Sequence, residues 1–313
     1  MSRTTTAPRS PGPRARARRP RRPPAAALAV ALALGAVAVV AAVALLRRAA
    51  GPPTSEPSAG AAGVVHIHGL GINPRDGLLH IATHTGLFRL GANGAIERVG
   101  TSYQDLMGFT VLGPDRFLAS GHPDLRQMRQ QNLPPLLGLL ESTDGGRTWQ
   151  TLSLLGQADF HALRTAHGRI YGWNSSGAFM VSGDGKTWET RSTLSLADFA
   201  VNPLDPDDIV ATTQGGVQRS ADGGRTWQRI PGSPALLLLA WARPEALLAV
   251  APNGTVYVSA DAGATWQARG ALPRPPAALL AAGDTLYAAT EDGSVYASPD
   301  GGATWQLRYR AAG

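Results

Sequence analysis

The sequence predicts an all-β fold: a β-propeller of six blades, with seven as the alternative, preceded by one transmembrane helix. Three observations carry this prediction. Tryptophan recurs at Trp149, Trp188, Trp227, Trp266 and Trp305, each 39 residues after the last. Each Trp closes a glycine-containing turn, and short apolar runs of strand length come before it. Examples are Ile209-Val-Ala with Val217-Gln-Arg, Leu247-Leu-Ala-Val with Thr255-Val-Tyr-Val, and Thr285-Leu-Tyr-Ala with Ser294-Val-Tyr-Ala. Nothing in the repeat shows a helix of roughly ten or more residues with a 3.6-residue apolar period. A period near 40 residues marks a solenoid or a propeller, and four short strands per period select the propeller.

The chain begins outside this repeat. Residues 1–48 hold ten arginines and no acid, whereas residues 49–313 carry 19 basic and 22 acidic side chains. The formal charge of +7 therefore comes from the N-terminal stretch. The repeat has no basic excess, which excludes a nucleic-acid partner. The absence of cysteine excludes disulfides, thiolate metal sites and cysteine nucleophiles. Residues 1–24, rich in Arg and Pro, cannot build a core and read as a disordered cytoplasmic tail. Ala25 to Leu46 is 22 uninterrupted residues of Ala, Leu, Val and one Gly. As a helix it spans roughly 33 Å, enough to cross a bilayer. Eight arginines precede it, and Arg47 and Arg48 follow. The positive-inside bias leaves the N-terminus in the cytoplasm and the rest outside. The span exceeds the apolar core of a cleaved signal peptide. A single-pass signal-anchor in the cell membrane is expected, with secretion after cleavage as the alternative. Residues 47–63 read as a linker, and residues 64–313 as the propeller, expected to be monomeric.

The turns before each Trp share one pattern. They run Ser142-Thr-Asp144-Gly-Gly-Arg-Thr-Trp149, Ser182-Gly-Asp184-Gly-Lys-Thr-Trp188, Ser220-Ala-Asp222-Gly-Gly-Arg-Thr-Trp227, Ser259-Ala-Asp261-Ala-Gly-Ala-Thr-Trp266 and Ser298-Pro-Asp300-Gly-Gly-Ala-Thr-Trp305. Asp and Ser oxygens can accept from turn N–H groups, Gly supplies positive φ, and Trp packs between strands. The second copy is one residue short, so its turn should differ locally. The pattern resembles the Asp-box or BNR repeat, S-x-D-x-G-x-T-W, of sialidases, sortilin-type receptors and photosystem assembly factors. That resemblance implies a propeller with the box between the third and fourth strands of each blade, as scaffold. The first half, with His66-Ile-His68-Gly-Leu, Ala82-Thr-His84-Thr-Gly-Leu and Ser120-Gly-His122-Pro-Asp, is also similar to an exported bacterial group labelled glycosyl hydrolases. The first blade has no box, and Leu87 to Glu97 takes its place. An excess of 13 residues separates Glu97 from Trp149, beyond one 39-residue period. It falls after Asp124, in Leu125 to Pro135, and reads as a long loop on the face opposite the boxes.

Alignment of the first strands gives a second pattern. His66-Ile-His68 matches Asp105-Leu-Met107, Asp159-Phe-His161 and Asp198-Phe-Ala200, while the last two blades carry Leu237, Leu239 and Pro276. The turns between second and third strands add His84, His122 and Asn174 to the same face. All seven histidines lie between residues 66 and 167. His66, His68, His84, Asp105, His122, Asp159 and His161 are therefore the candidate ligand-binding residues. Imidazole and carboxylate suit a divalent metal, with His68, His122 and His161 as candidate ligands. The bland alternative is that Asp caps a turn and His satisfies backbone groups.

A sialidase reading lacks its parts. Arg229-Ile230-Pro231 follows a box instead of preceding them, and no arginine triad or buttressed tyrosine nucleophile assembles; Tyr103 alone lies near the expected face. Three functions stay open: a propeller that binds a glycan or protein ligand at its axis, a sialidase-like glycoside hydrolase, and an assembly factor for a membrane complex. Catalytic residues are not assigned, and the enzyme question stays open, including hydrolysis by Asp105 and Asp159.

Overall fold

The computed structural model describes residues 64–311. The arginine-rich tail, the apolar span Ala25–Leu46 and the linker lie outside the described residues. Among the described residues, no helix is long and apolar enough to cross a membrane.

Twenty-four strands form six four-stranded antiparallel sheets, each ordered as its strands follow in sequence. The blades start with the first strands Ile67–Ile72, Asp105–Gly113, Phe160–Ala166, Asp198–Val201, Leu238–Arg243 and Pro276–Ala282. The ring thus has the six blades expected, not seven. No blade borrows a strand from another. The ring closes by side-chain packing between the last blade and the first, where Val64, Ile67 and Leu70 meet Ala278, Ala289 and Val295.

The strands form where β-branched and aromatic residues alternate or run together between glycine turns. Second strands sit in mid-sheet between blades and are buried on both faces: Leu79–Thr83 and Ala246–Val250 are buried throughout. The continuous apolar run of Ala246–Val250 follows from this. The core is accordingly a ring of clusters between neighbouring blades. Between blades 2 and 3, Leu118 and Leu139 pack on Phe160, Leu163 and Ile170. Close approach near the axis needs small residues. A Cβ on Gly108 would stand 2.4 Å from the carbonyl oxygen of Phe160 in the next blade.

The repeated turns link the third and fourth strands. In blade 4, Ser220 Oγ donates to Asp222 Oδ1 at 2.7 Å and accepts from Gly224 N at 2.8 Å. Asp222 also accepts from Thr226 N and Thr226 Oγ1 at 2.9 and 2.6 Å. Gly224 has φ 91°, a conformation open to glycine at little cost. The short second copy closes one residue earlier: Gly185 N, not a residue four on, donates to Ser182 Oγ. Each Trp packs against the cluster between its own blade and the preceding one, not between strands of one sheet. Trp188 Nε1 and Trp227 Nε1 also donate across that seam, to Ser153 Oγ and Ser192 Oγ.

One element departs from the sequence reading. The insertion Leu125–Pro135 is not a plain loop, because Leu125–Gln131 folds as a helix, α1. Asp124 caps it, accepting from Arg126 N and Gln127 N, while the Gln127 side chain accepts from Asp124 N. Asn132 ends it in the left-handed conformation at φ 50°. The helix buries no residue, so it carries no apolar period to announce it.

Candidate functional site

In each blade the first strand runs away from the face that carries the turn between second and third strands. The Ser-x-Asp turns lie at the other end of the sheets. The first strands enclose an axial channel of about 610 Å³ whose lining includes His68, His161, Arg164 and Asp198.

At the mouth the polar residues gather around two carboxylates. Asp105 opens the first strand of blade 2. His84, from the turn after the second strand of blade 1, places Nδ1 3.0 Å from its Oδ2. His68, on the first strand of blade 1, places Nε2 3.6 Å from its Oδ1. His66 stands outside this set: it is exposed, its φ is 49°, and its ring meets that of His84 edge-on at 6.0 Å.

The second carboxylate is Asp159, immediately before the first strand of blade 3. His161 Nε2 lies 2.8 Å from its Oδ2 and His122 Nε2 3.6 Å from the same oxygen. His122 Nδ1 stands 2.9 Å from the carbonyl of Pro135, at the end of the insertion. That carbonyl can only accept, so Nδ1 carries a proton there. The structure thus groups His68 with His84 and Asp105, and His122 and His161 with Asp159. The Pro135 carbonyl is a part that no sequence signal announces. Helix α1 is tied to the first set, because Gln127 Nε2 donates to Gln104 Oε1 at 3.3 Å, one residue before Asp105.

Burial sets the electrostatics. Asp105 and Asp159 are 9% and 3% exposed. Burial pushes the Asp105 carboxyl up, and the nearby His84 and His122 only partly offset it. Burial also acts on Asp159, but the hydrogen bond and charge of His161, with His122, outweigh it and hold that carboxyl below the usual range. His68 is pushed down to about 4 by burial and by His84 and His66.

The equivalent residue of blade 4 is different. Asp198 accepts from Arg164 Nη2 at 2.6 Å, from Phe199 N at 2.8 Å and from Leu239 N at 2.9 Å. It joins three blades, and both of its oxygens have partners. By contrast, His68 Nε2, Asp105 Oδ1 and Asp159 Oδ1 are buried without a hydrogen-bond partner.

No family model matches the sequence, and no curated protein sequence matches it. Solved structures show likeness of fold. The chain is 16% identical to the GH74 xyloglucanase of Xanthomonas campestris, with a TM-score of 0.52, over 78% of this chain and 45% of that one. It thus spans under half the length of that enzyme. It is 15% identical to YCF48 bound to D1 peptide, with a TM-score of 0.51, over 83% and 88% of the two chains. A gluconolactonase of Xanthomonas campestris is 13% identical, with a TM-score of 0.55, over 72% and 84%. Identities this low establish a β-propeller and no more.

Proposed function

We propose that this chain is a membrane-anchored, extracytoplasmic propeller that binds a ligand at the His/Asp face of its axis. One observation carries the site. Asp105 and Asp159 each keep a buried oxygen without a partner, while the equivalent Asp198 has a partner on each oxygen. An open buried acceptor costs about 1–3 kcal/mol, and proteins keep such a cost where function needs it. The Ser-x-Asp turns, which we infer to be Asp-boxes, are scaffold in this reading. Anchoring rests on the apolar span Ala25–Leu46 between arginines.

The test compares unfolding of Asp105→Asn with that of Asp198→Asn in urea. Asp105→Asn should leave stability unchanged or raise it, because the buried charge goes while the amide oxygen can still meet His84 Nδ1. Asp198→Asn should lose about 3 kcal/mol or more, because it strips the charge from the Arg164 pair. Equal losses at both positions would make the axial cluster ordinary scaffold.

The opposed shifts of Asp105 and Asp159 favour a second reading, glycoside hydrolysis with a raised acid and a lowered partner carboxylate. Likeness to a xyloglucanase is in keeping with it. Turnover of aryl glycosides, abolished by Asp105→Asn and by Asp159→Asn separately, would select it over binding alone.

A further inference from the structure

We propose that His68, His84 and Asp105 form a site for a divalent transition-metal ion of the zinc class. The inference rests on the reading of this face as the ligand site, and it names what first occupies it. His68 Nε2 and Asp105 Oδ1 face each other at 3.6 Å, too far for a hydrogen bond, and neither has another partner. Two buried polar atoms are thus aimed at one gap. His84 Nδ1 stands 3.0 Å from the other oxygen of the same carboxylate. The donor atoms of the three residues all lie within 4.8 Å of one another. Around a tetrahedral ion with bonds of about 2.0–2.2 Å, ligand atoms stand roughly 3.3–3.6 Å apart. Small side-chain movements therefore close the set on an ion.

The donor chemistry narrows the ion. Two imidazoles and one carboxylate suit zinc and its neighbours, whereas magnesium and calcium take oxygen ligands. Three protein ligands leave a coordination position open, as in sites that bind a further molecule instead of serving the fold. The ligands come from the first strand of blade 1, its second turn and the first strand of blade 2, so the site exists only in the folded ring. Scaffold demands do not explain it, because a structural His at position 68 would have a hydrogen bond.

The experiment uses the untagged full chain, stripped of metal by chelation and dialysed against Zn²⁺, with Co²⁺ as a spectroscopic probe. The wild type should take up one Zn²⁺ per chain, and Co²⁺ should give the visible absorption of a low-coordinate site. His84→Ala should weaken binding more than about 100-fold, beyond the cost of losing an outer partner. The His84 side chain is 58% exposed, so this variant keeps its fold. His167→Ala, whose ring contacts the Asn202 carbonyl far from the mouth, should bind as the wild type does. Undiminished uptake by His84→Ala overturns the proposal, as does uptake lost on His161→Ala instead, or none by the folded wild type. If Zn²⁺ does not bind while Asp105→Asn leaves metal-free stability unchanged or raises it, the ion falls and the ligand face stands. If Asp105→Asn also destabilises, both fall.

Discussion

Single residues show two ways of holding a carboxylate. In the repeated turns, Asp222 is met first by Thr226 and then by Ser220 and Arg225 N, which hold it far below the usual range. Asp261 is lowered to about 2, chiefly by Thr265. Replacing Asp222 by Ala should cost about 1 kcal/mol, a modest figure because the group is solvent-screened. Urea titration at neutral pH measures it, and ligand or metal uptake should not change. A carboxyl depressed on folding stabilises the native state above its unfolded pKa, near 3.9, and loses that contribution as pH falls through the folded value. The turns should therefore weaken together as pH drops from about 4 toward 2, which melting temperatures across that range would report. His68 acts at higher pH. Its folded value near 4 lies below the unfolded value of about 6.5, so the unfolded chain takes up the proton first. Stability should decline as pH falls from about 6.5 to 4, and His68→Gln should flatten that slope.

At the scale of elements, the Trp side chains work as seams between blades. Trp227 packs against Phe179 edge-on at 5.4 Å and reaches Ser192 across the boundary. Trp227→Ala should cost about 3 kcal/mol, at the low end for a large aromatic because the ring is only partly buried. Trp227→Phe loses a hydrogen bond worth about 1 kcal/mol. Trp266→Phe should cost less, because Trp266 Nε1 is buried without a partner; paired urea curves separate the two. Strand positions were legible because short apolar runs and glycine turns repeat with the 39-residue spacing. Helix α1 was not, because it buries nothing. Its only sequence signal is the spacing of Asp124 and Gln127, a capping box. Asp124→Ala should therefore speed hydrogen exchange in residues 125–131 while leaving the global melting transition in place.

For the whole molecule, the blade number followed from dividing residues 64–313, less the 13-residue excess, by the 39-residue repeat, and side-chain packing between the last blade and the first closes the ring. The candidate site was legible as positions and not as groupings. First-strand alignment put His68, Asp105, Asp159 and His161 on one face. Which imidazole meets which carboxylate depends on how neighbouring blades pack and on the insertion, at whose end the Pro135 carbonyl meets His122; no spacing encodes either. The anchor belongs to this scale too. If the apolar span is retained, the full chain should stay with membranes after carbonate washing, and a soluble form starting near residue 49 would contradict it. The central claim is that one face of the ring gathers its imidazoles around Asp105 and Asp159. Histidine side-chain NMR on ¹⁵N-labelled, metal-free protein tests it most directly, with pH titration of the wild type and of two variants. His68 should titrate near 4, Asp105→Asn should move the signals of His68 and His84, and Asp159→Asn should move those of His122 and His161. A His68 that titrates near 6.5, with ring signals indifferent to both substitutions, would contradict it.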